Sequence, residues 1–287
     1  MRSCFFVSDL HGRIERYQKL FARIEQERPA AVFIGGDLLS HGLLPHETIA
    51  GRHGDFVNGF LKASFTRLRD KLGEAYPDVF VILGNDDNRS EEAAFMDVAT
   101  TGLWHYAHNR SYAFGSYRVY GYAFAPPTPF VLKDWERYDV SRYVDPGCIS
   151  PEEGARTVPV SDREKRYRTI KDDLAQLVGQ DDLSNALMLF HTPPYQTMLD
   201  RAALDGKMID HVPLDVHVGS IALRRFIEAR GPKLTMHGHI HESARLTGAW
   251  MDRLGDTICL SAAHDGDELA LVRFDPAGPA KATRELL

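Results

Sequence analysis

Four times along this chain, a short apolar run stops at a string of side chains able to hold a metal ion. Residues 4–7 lead into Asp9-Leu10-His11, 31–34 into Gly35-Gly36-Asp37, 79–83 into Gly84-Asn85-Asp86-Asp87, and 233–236 into His237-Gly238-His239-Ile240-His241. A further run, 186–190, ends at a lone His191. Apolar runs this short, bounded by turn formers, read as strands buried on both faces. Segments with helical spacing lie between them. Residues 14–27 carry Ile14, Tyr17, Leu20, Phe21 and Ile24 on one stripe before Pro29 stops the helix, and helices are expected over 55–72 and 91–99. This alternation predicts a parallel sheet with helices on both faces. Ligands collect at the carboxyl ends of strands in such a sheet, and Asp9, Asp37 and Asn85 all fall there.

The rhythm then changes. Residues 111–124 alternate around Gly115-Ser116 and predict a hairpin. The segment 126–160 holds six of the fifteen prolines, with Trp135, Tyr138, Tyr143 and four basic residues. That mixture predicts an insertion with little regular structure. Regular elements resume as a helix over 162–178, a strand over 186–190, a helix over 220–229 and a strand over 233–236. Three strand-like runs follow, near 244–250, 257–261 and 268–274. With no linker or repeat in view, the expectation is a single domain, 1–287, carrying a cap-like insertion at about 126–160.

Composition narrows the partners. A net charge of −6 and a pI near 6.1 argue against a general binder of nucleic acid or anionic membrane, which needs a basic field. No apolar run reaches the roughly 18 residues of a membrane helix, and the one behind Met1 is too short for a signal sequence. Cys4, Cys148 and Cys259 show no CxxC spacing and fit a reducing cytoplasm better than a disulfide framework.

Two carboxylates, one amide oxygen and four imidazoles from these strings would be enough for two adjacent divalent ions. Asp9 and His11 stand at i and i+2, and in an extended segment such side chains point the same way. Both can then grip one metal. His239 and His241 share that spacing, but could also straddle a metal pair. Two glycines before Asp37 let the backbone turn sharply and set the carboxylate at the sheet's edge. A carboxylate can bridge two cations, and Asn85 offers a neutral carbonyl oxygen. Thr192-Pro193-Pro194 stiffens the loop behind His191. Each string alone has an ordinary reading, as a turn or a helix cap. The full set, in this order and at strand ends, does not.

With these strings in place, the chain resembles the calcineurin-like metallophosphoesterases, and within them the Icc-like branch. The shared pattern is D-x-H, G-D, G-N-H-[DE], a lone His and G-H-x-H, running from about Val7 to His241. The resemblance implies an α/β fold, a four-layer α-β-β-α sandwich of two mixed sheets flanked by helices, in place of the single parallel sheet read from periodicity. It implies one metal held by Asp9, His11, Asp37 and His241. A second would be held by Asp37, Asn85, His191 and His239, with Asp37 bridging and His237 outside the set. The implied cofactors are two divalent metal ions, drawn from Mn, Fe, Zn and Ni. The implied activity is phosphoester hydrolysis by a hydroxide between them.

The chain leaves the pattern at Asp86, where the family carries a histidine thought to contact the phosphate or protonate the leaving group. A carboxylate there repels phosphate when ionised. The expected reaction is therefore phosphodiester rather than monoester hydrolysis, on a small substrate such as a cyclic nucleotide. His41, just past Gly-Gly-Asp, is the candidate to supply the missing acid, against its plain reading as a loop histidine. In the insertion, Trp135, Tyr138 and Tyr143 could stack on a base while Arg137 or Arg142 holds a phosphate. The plain alternative packs these aromatics on the body or on a second copy, which leaves a homo-oligomer open. Gly219-Ser220 opens a helix, either as an anion-binding turn or as a simple cap. The expected protein is a cytoplasmic, metal-dependent phosphoesterase of small molecules, with neither membrane nor nucleic acid as partner. Its rivals are a nuclease, which needs a basic track the sequence does not show, and a scaffold keeping the fold with weak catalysis, as in the retromer subunit of this fold.

Overall fold

The apolar runs become interior strands. In the computed structural model, which describes residues 3–40 and 55–287, every residue of β1 (Cys4–Val7), β2 (Ala31–Gly35) and β7 (Ala186–Phe190) is buried. The other strands are β3 (Asp78–Ile82), β4 (His105–Tyr106), β5 (Arg110–Phe114), β6 (Tyr117–Tyr122), β8 (Met208–Ile209), β9 (Val212–Pro213), β10 (Leu234–His237), β11 (Met251–Leu254), β12 (Thr257–Ser261), β13 (Ala270–Phe274) and β14 (Thr283–Leu286). The α-helices are α1 (Ile14–Glu27), α2 (Lys62–Leu72), α3 (Glu92–Ala99), α4 (Asp162–Tyr167), α5 (Ile170–Val178), α6 (Ile221–Arg230) and α7 (Ser243–Thr247).

Two six-stranded mixed sheets replace the single parallel sheet expected from periodicity. One has the order β14-β13-β1-β2-β3-β4 and the other β11-β12-β10-β7-β6-β5. In the first, β1 to β4 run parallel and β13 and β14 pair antiparallel beyond β1. In the second, β12, β10, β7 and β6 run parallel, with β11 and β5 antiparallel at the edges. The sheets face each other across an aromatic core. Phe33 and Phe80 stack at 5.1 Å, and Phe114 from the opposite sheet meets both rings edge-on at 6.4 and 6.0 Å. On one outer face α1 buries Tyr17, Leu20 and Ile24, and its Phe21 meets Phe65 of α2 at 5.0 Å. On the other, Phe226 of α6 meets Phe190 of β7 at 6.3 Å. The layering is α-β-β-α.

Several elements differ from the periodicity reading. The expected helix over 55–72 begins as a π-helical turn, Phe56–Leu61, capped by Asp55, before α2 takes over. The expected helix over 162–178 breaks in two. Ile170 N–H donates to the Tyr138 carbonyl at 2.8 Å, which draws the chain out of the helix, and Thr169 then caps α5 through the Asp172 N–H. The strand expected near 244–250 is the short helix α7, ended at the left-handed Gly248, and β11 follows it. The insertion contains no strand or helix, as expected, yet its residues 133–138 are all buried. Trp135 and Tyr138 are buried, so they do not offer rings to a base, while Tyr143 is exposed. Arg137 is also buried, paired with Glu164 and Asp173. Ser220 is a simple cap, accepting the Leu223 N–H at 3.0 Å.

Candidate metal centre

Parallel register brings the critical loops to one edge. Cys4 lies opposite Ala31 and Ala31 opposite Asp78, so the chain leaves β1, β2 and β3 side by side. Leu187 lies opposite Leu234, which does the same for the loops behind β7 and β10. The first two loops are laced together, Asp9 N–H to the Gly36 carbonyl at 3.0 Å and His11 N–H to the Asp37 carbonyl at 2.8 Å. Asp9, His11, Asp37 and His239 have φ of 57°, 47°, 53° and 74°, in the left-handed region that costs a non-glycine residue about 1–3 kcal/mol. Asp9 and His11 therefore converge through a left-handed turn and not through the extended spacing expected for them. Gly36 and Gly84 allow His191 to approach. A Cβ on Gly36 would sit 2.6 Å from His191 Nδ1, and one on Gly84 would collide with Asp37 Oδ1 and His191.

Two clusters result. One ligand atom from each of Asp9, His11, Asp37 and His241 lies within 4.8 Å of the others, and the same holds for Asp37, His191 and His239. Asp37 belongs to both. Asn85 adjoins the second cluster, its Oδ1 2.9 Å from His191 Nε2, and that nitrogen is 3.3 Å from Asp37 Oδ1. In the first, His11 Nε2 and His241 Nε2 face each other at 3.1 Å, and His241 Nε2 lies 3.4 Å from Asp9 Oδ1. His239 and His241 thus part company, one to each cluster. His237 stands apart, buried between the Thr192 carbonyl and the Thr235 hydroxyl.

These residues fit divalent cations. Asp9 Oδ2 is buried with no hydrogen-bond partner among the described residues, and an unsatisfied buried carboxylate oxygen is costly. Two imidazole nitrogens aimed at each other need a proton or a cation between them. Imidazole with carboxylate and amide oxygen suits Mn, Fe, Zn or Ni. His191 Nδ1 faces the Gly35 carbonyl at 2.9 Å, an arrangement that keeps a proton on Nδ1 and leaves Nε2 as the nitrogen that would face a cation.

The protein's own charges pull these groups apart. Burial opposes a charge on His191, but the Asp37 carboxylate outweighs it and holds the imidazole up to about 10. Burial is likewise outweighed at His241, which Asp9 holds up to about 9. Burial would raise Asp37, yet His191 draws it well below the usual carboxylate range. Burial, then the charge of His191, push His239 down to about 3. Asp86 is raised to about 8 by burial and by the Asp37 and Asp87 carboxylates. Cations in the clusters would favour every neutral imidazole and every ionised carboxylate.

Asp86 sits at the rim. Its N–H donates to Asp37 Oδ1 at 2.9 Å, and its Oδ2 lies 3.7 Å from His11 Nδ1. His41 lies outside the described residues. Two structural residues escaped the sequence reading. Asp87, fully buried, accepts the N–H groups of Leu38, Leu39 and Gly84 at 2.7–3.1 Å, tying the β2 loop to the β3 loop. Its signal was the acidic position closing the third motif. Arg16, also buried, donates to the carbonyls of Asp9 and Gly266. Its signal was a charged residue one turn before Leu20 on the apolar face of α1.

Comparison with known proteins agrees with this architecture. The calcineurin-like phosphoesterase profile matches residues 4–243. The chain belongs to that family. Calcineurin-like phosphoesterases are metal-dependent, so the two clusters are this member's candidate metal-ligand groups. The fold recurs in solved structures of low identity. One aligns over 99% of this chain and 98% of its own at a TM-score of 0.62 and 16% identity. A Thermus thermophilus protein does so over 99% and 98% at 0.54 and 14%. A dimetal phosphatase from Danio rerio covers 94% and 91% at 0.50 and 11%. An uncharacterized Methanocaldococcus jannaschii protein is 35% identical over 82 residues, 28% of this chain and 32% of that protein. The chain thus spans about a third of that relative's length. Among the described residues no helix is long and apolar enough to cross a membrane.

Proposed function

We propose that this calcineurin-like phosphoesterase is a phosphodiesterase working with two divalent metals. Asp9, His11, Asp37 and His241 would hold one, and Asp37, Asn85, His191 and His239 the other. The observation that carries the proposal is the membership of one carboxylate, Asp37, in both clusters. The dimetal phosphatase of the same fold supports the two-metal reading. When bound, such a pair supplies Lewis acidity toward phosphoryl oxygens and an activated water.

The chain's own residues do the positioning. Asp87 fixes the loops that carry Asp37 and Asn85, and the Gly35 carbonyl orients His191. Asp86, pushed up to about 8 by burial and its acidic neighbours, would be ionised by cations in the clusters and would then add a third carboxylate beside Asp9 and Asp37. That reduces the attraction for a dianionic monoester more than for a monoanionic diester, which favours a small phosphodiester such as a cyclic nucleotide. With Asp86 in place of an imidazole the leaving group departs unaided, and His41 is the candidate that would replace the missing acid. The 126–160 segment serves as an inserted cap on a single domain, and the sparse cysteines support a cytoplasmic setting. A second reading, a binding scaffold with weak catalysis, is favoured by Asp86 alone.

The test pairs metal analysis with a substrate panel. Protein purified without chelator should carry about two transition-metal equivalents and cleave bis-p-nitrophenyl phosphate or cyclic nucleotides faster than p-nitrophenyl phosphate. Asp37→Asn and His239→Ala should each lower turnover by several orders of magnitude, because metal activation brings the water pKa from about 15.7 towards ~7. A well-loaded preparation that never exceeds one metal would remove the bridging role of Asp37. Full loading without turnover of any ester would favour the scaffold.

A further inference from the structure

Away from the clusters, charge concentrates in a cavity between the segment behind β3 and the insertion. Its wall includes Arg89, Lys133, Arg137, Arg156 and Lys165, against the carboxylates Asp134, Glu136 and Glu164. The carboxylates are already engaged. Glu136 pairs with Lys133, both fully buried. Glu164 takes Arg137 at 2.6 Å and, more loosely, Arg89 at 3.8 Å. Asp134 accepts the N–H groups of Arg89 and Thr157 at 2.8 and 2.9 Å, and the Thr157 hydroxyl as well. Arg156, partly buried, is left with no hydrogen bond or ion pair among the described residues. Lys165 has only its helix neighbour Asp162, at 3.4 Å.

In sequence, the cavity wall begins close behind the candidate ligand Asn85. Arg89 lies four residues past Asn85. Asp134 on Arg89 and the Thr157 hydroxyl on the Ser90 N–H at 3.0 Å fasten the insertion to this segment. We propose that Arg156, assisted by Arg89 and Lys165, forms a subsite for an oxyanion other than the scissile phosphodiester. A planar guanidinium with no carboxylate in pairing distance, its acidic neighbours Asp134 and Glu164 already engaged, matches a phosphate or carboxylate in bidentate contact, with Lys165 and the Glu92-paired Arg89 adding positive charge. Two sources share that chemistry: a second phosphate on the substrate, and free inorganic phosphate. The substrate source rests on the phosphodiesterase reading above, whereas the binding of an oxyanion does not.

The experiment has two arms, both on the full metal-loaded chain. In the first, inorganic phosphate is titrated calorimetrically into wild type, Arg156→Gln and Arg156→Lys. Wild type should bind one more equivalent than Arg156→Gln, and Arg156→Lys should recover it with weaker affinity. Equal stoichiometry in wild type and a folded Arg156→Gln overturns the subsite. In the second, thymidine 5′-(p-nitrophenyl phosphate) is compared with its 3′-phosphorylated form, which carries the same scissile bond and a second phosphate. Wild type should show a KM about tenfold lower for the phosphorylated form, and Arg156→Gln should erase that ratio with kcat unchanged. Loss of the phosphate equivalent without any KM effect assigns the subsite to free phosphate. Absence of all diester turnover defeats the phosphodiesterase reading and leaves the first arm to decide the subsite.

Discussion

At Asp87 a single carboxylate, shielded from solvent, accepts N–H groups from the loops of two strands. Removing it leaves three buried backbone donors without an acceptor, and each such orphan costs about 1–3 kcal/mol. Asp87→Ala should therefore lower unfolding free energy by about 3 kcal/mol or more, read by chemical denaturation, and should also reduce metal occupancy. A variant with wild-type stability and full occupancy would show that the clasp is dispensable. Its neighbour Asp86 acts on charge. With no imidazole there to protonate a poor leaving group, nitrophenyl diesters should be cleaved much faster than alkyl ones. Asp86→His should raise monoester turnover and flatten the dependence of rate on leaving-group pKa, measured over a phenyl ester series at fixed metal loading. A flat dependence already present in wild type would point to another acid, such as His41.

Among the elements, the junction between insertion and body is the most instructive. Asp139 accepts the Ser220 hydroxyl at 2.5 Å and the Ile221 N–H at 2.7 Å, so a residue of the insertion caps helix α6. Asp139→Ala should cost about 1–2 kcal/mol of stability, with kcat unchanged, because α6 supplies none of the clustered side chains. Stability equal to wild type would mean that the Ser220 cap suffices. The same junction explains what the periodicity of 162–178 could not reveal. A helical pattern is a local property, whereas the break at Thr169 comes from pairing with Tyr138, thirty-one residues earlier. The buried strands were legible because their apolar runs are continuous. The two-residue strands β4, β8 and β9 are too short to carry a pattern.

For the whole molecule, metal binding and protonation must compete. His191 and His241 have folded pKa values of about 10 and 9, raised above 6.5. Their contribution to the stability of chelator-treated protein is full below 6.5 and is lost as pH rises through 9 and 10. Ligation requires neutral imidazoles, so metal affinity should rise through the same window. The gain in Tm on metal addition should therefore grow from neutral to alkaline pH, and calorimetry at neutral pH in buffers of different ionisation enthalpy should record proton release on loading. A metal-induced gain that shrinks with rising pH would contradict the assignment of these two histidines. The sequence by itself determined which side chains stand at strand ends and which loops need glycine, since apolar runs and backbone sterics act over a few residues. It also carried, through the motif set, the family and its two-sheet fold. The same motif set implied that His239 and His241 divide between two metals sharing Asp37, but only the tertiary structure brought His11 against His241 and turned Trp135, Tyr138 and Arg137 inward. Those outcomes depend on the register of two facing sheets, which brings His11 within 3.1 Å of His241 across 230 residues, and on where each side chain finds its partner once the insertion has packed.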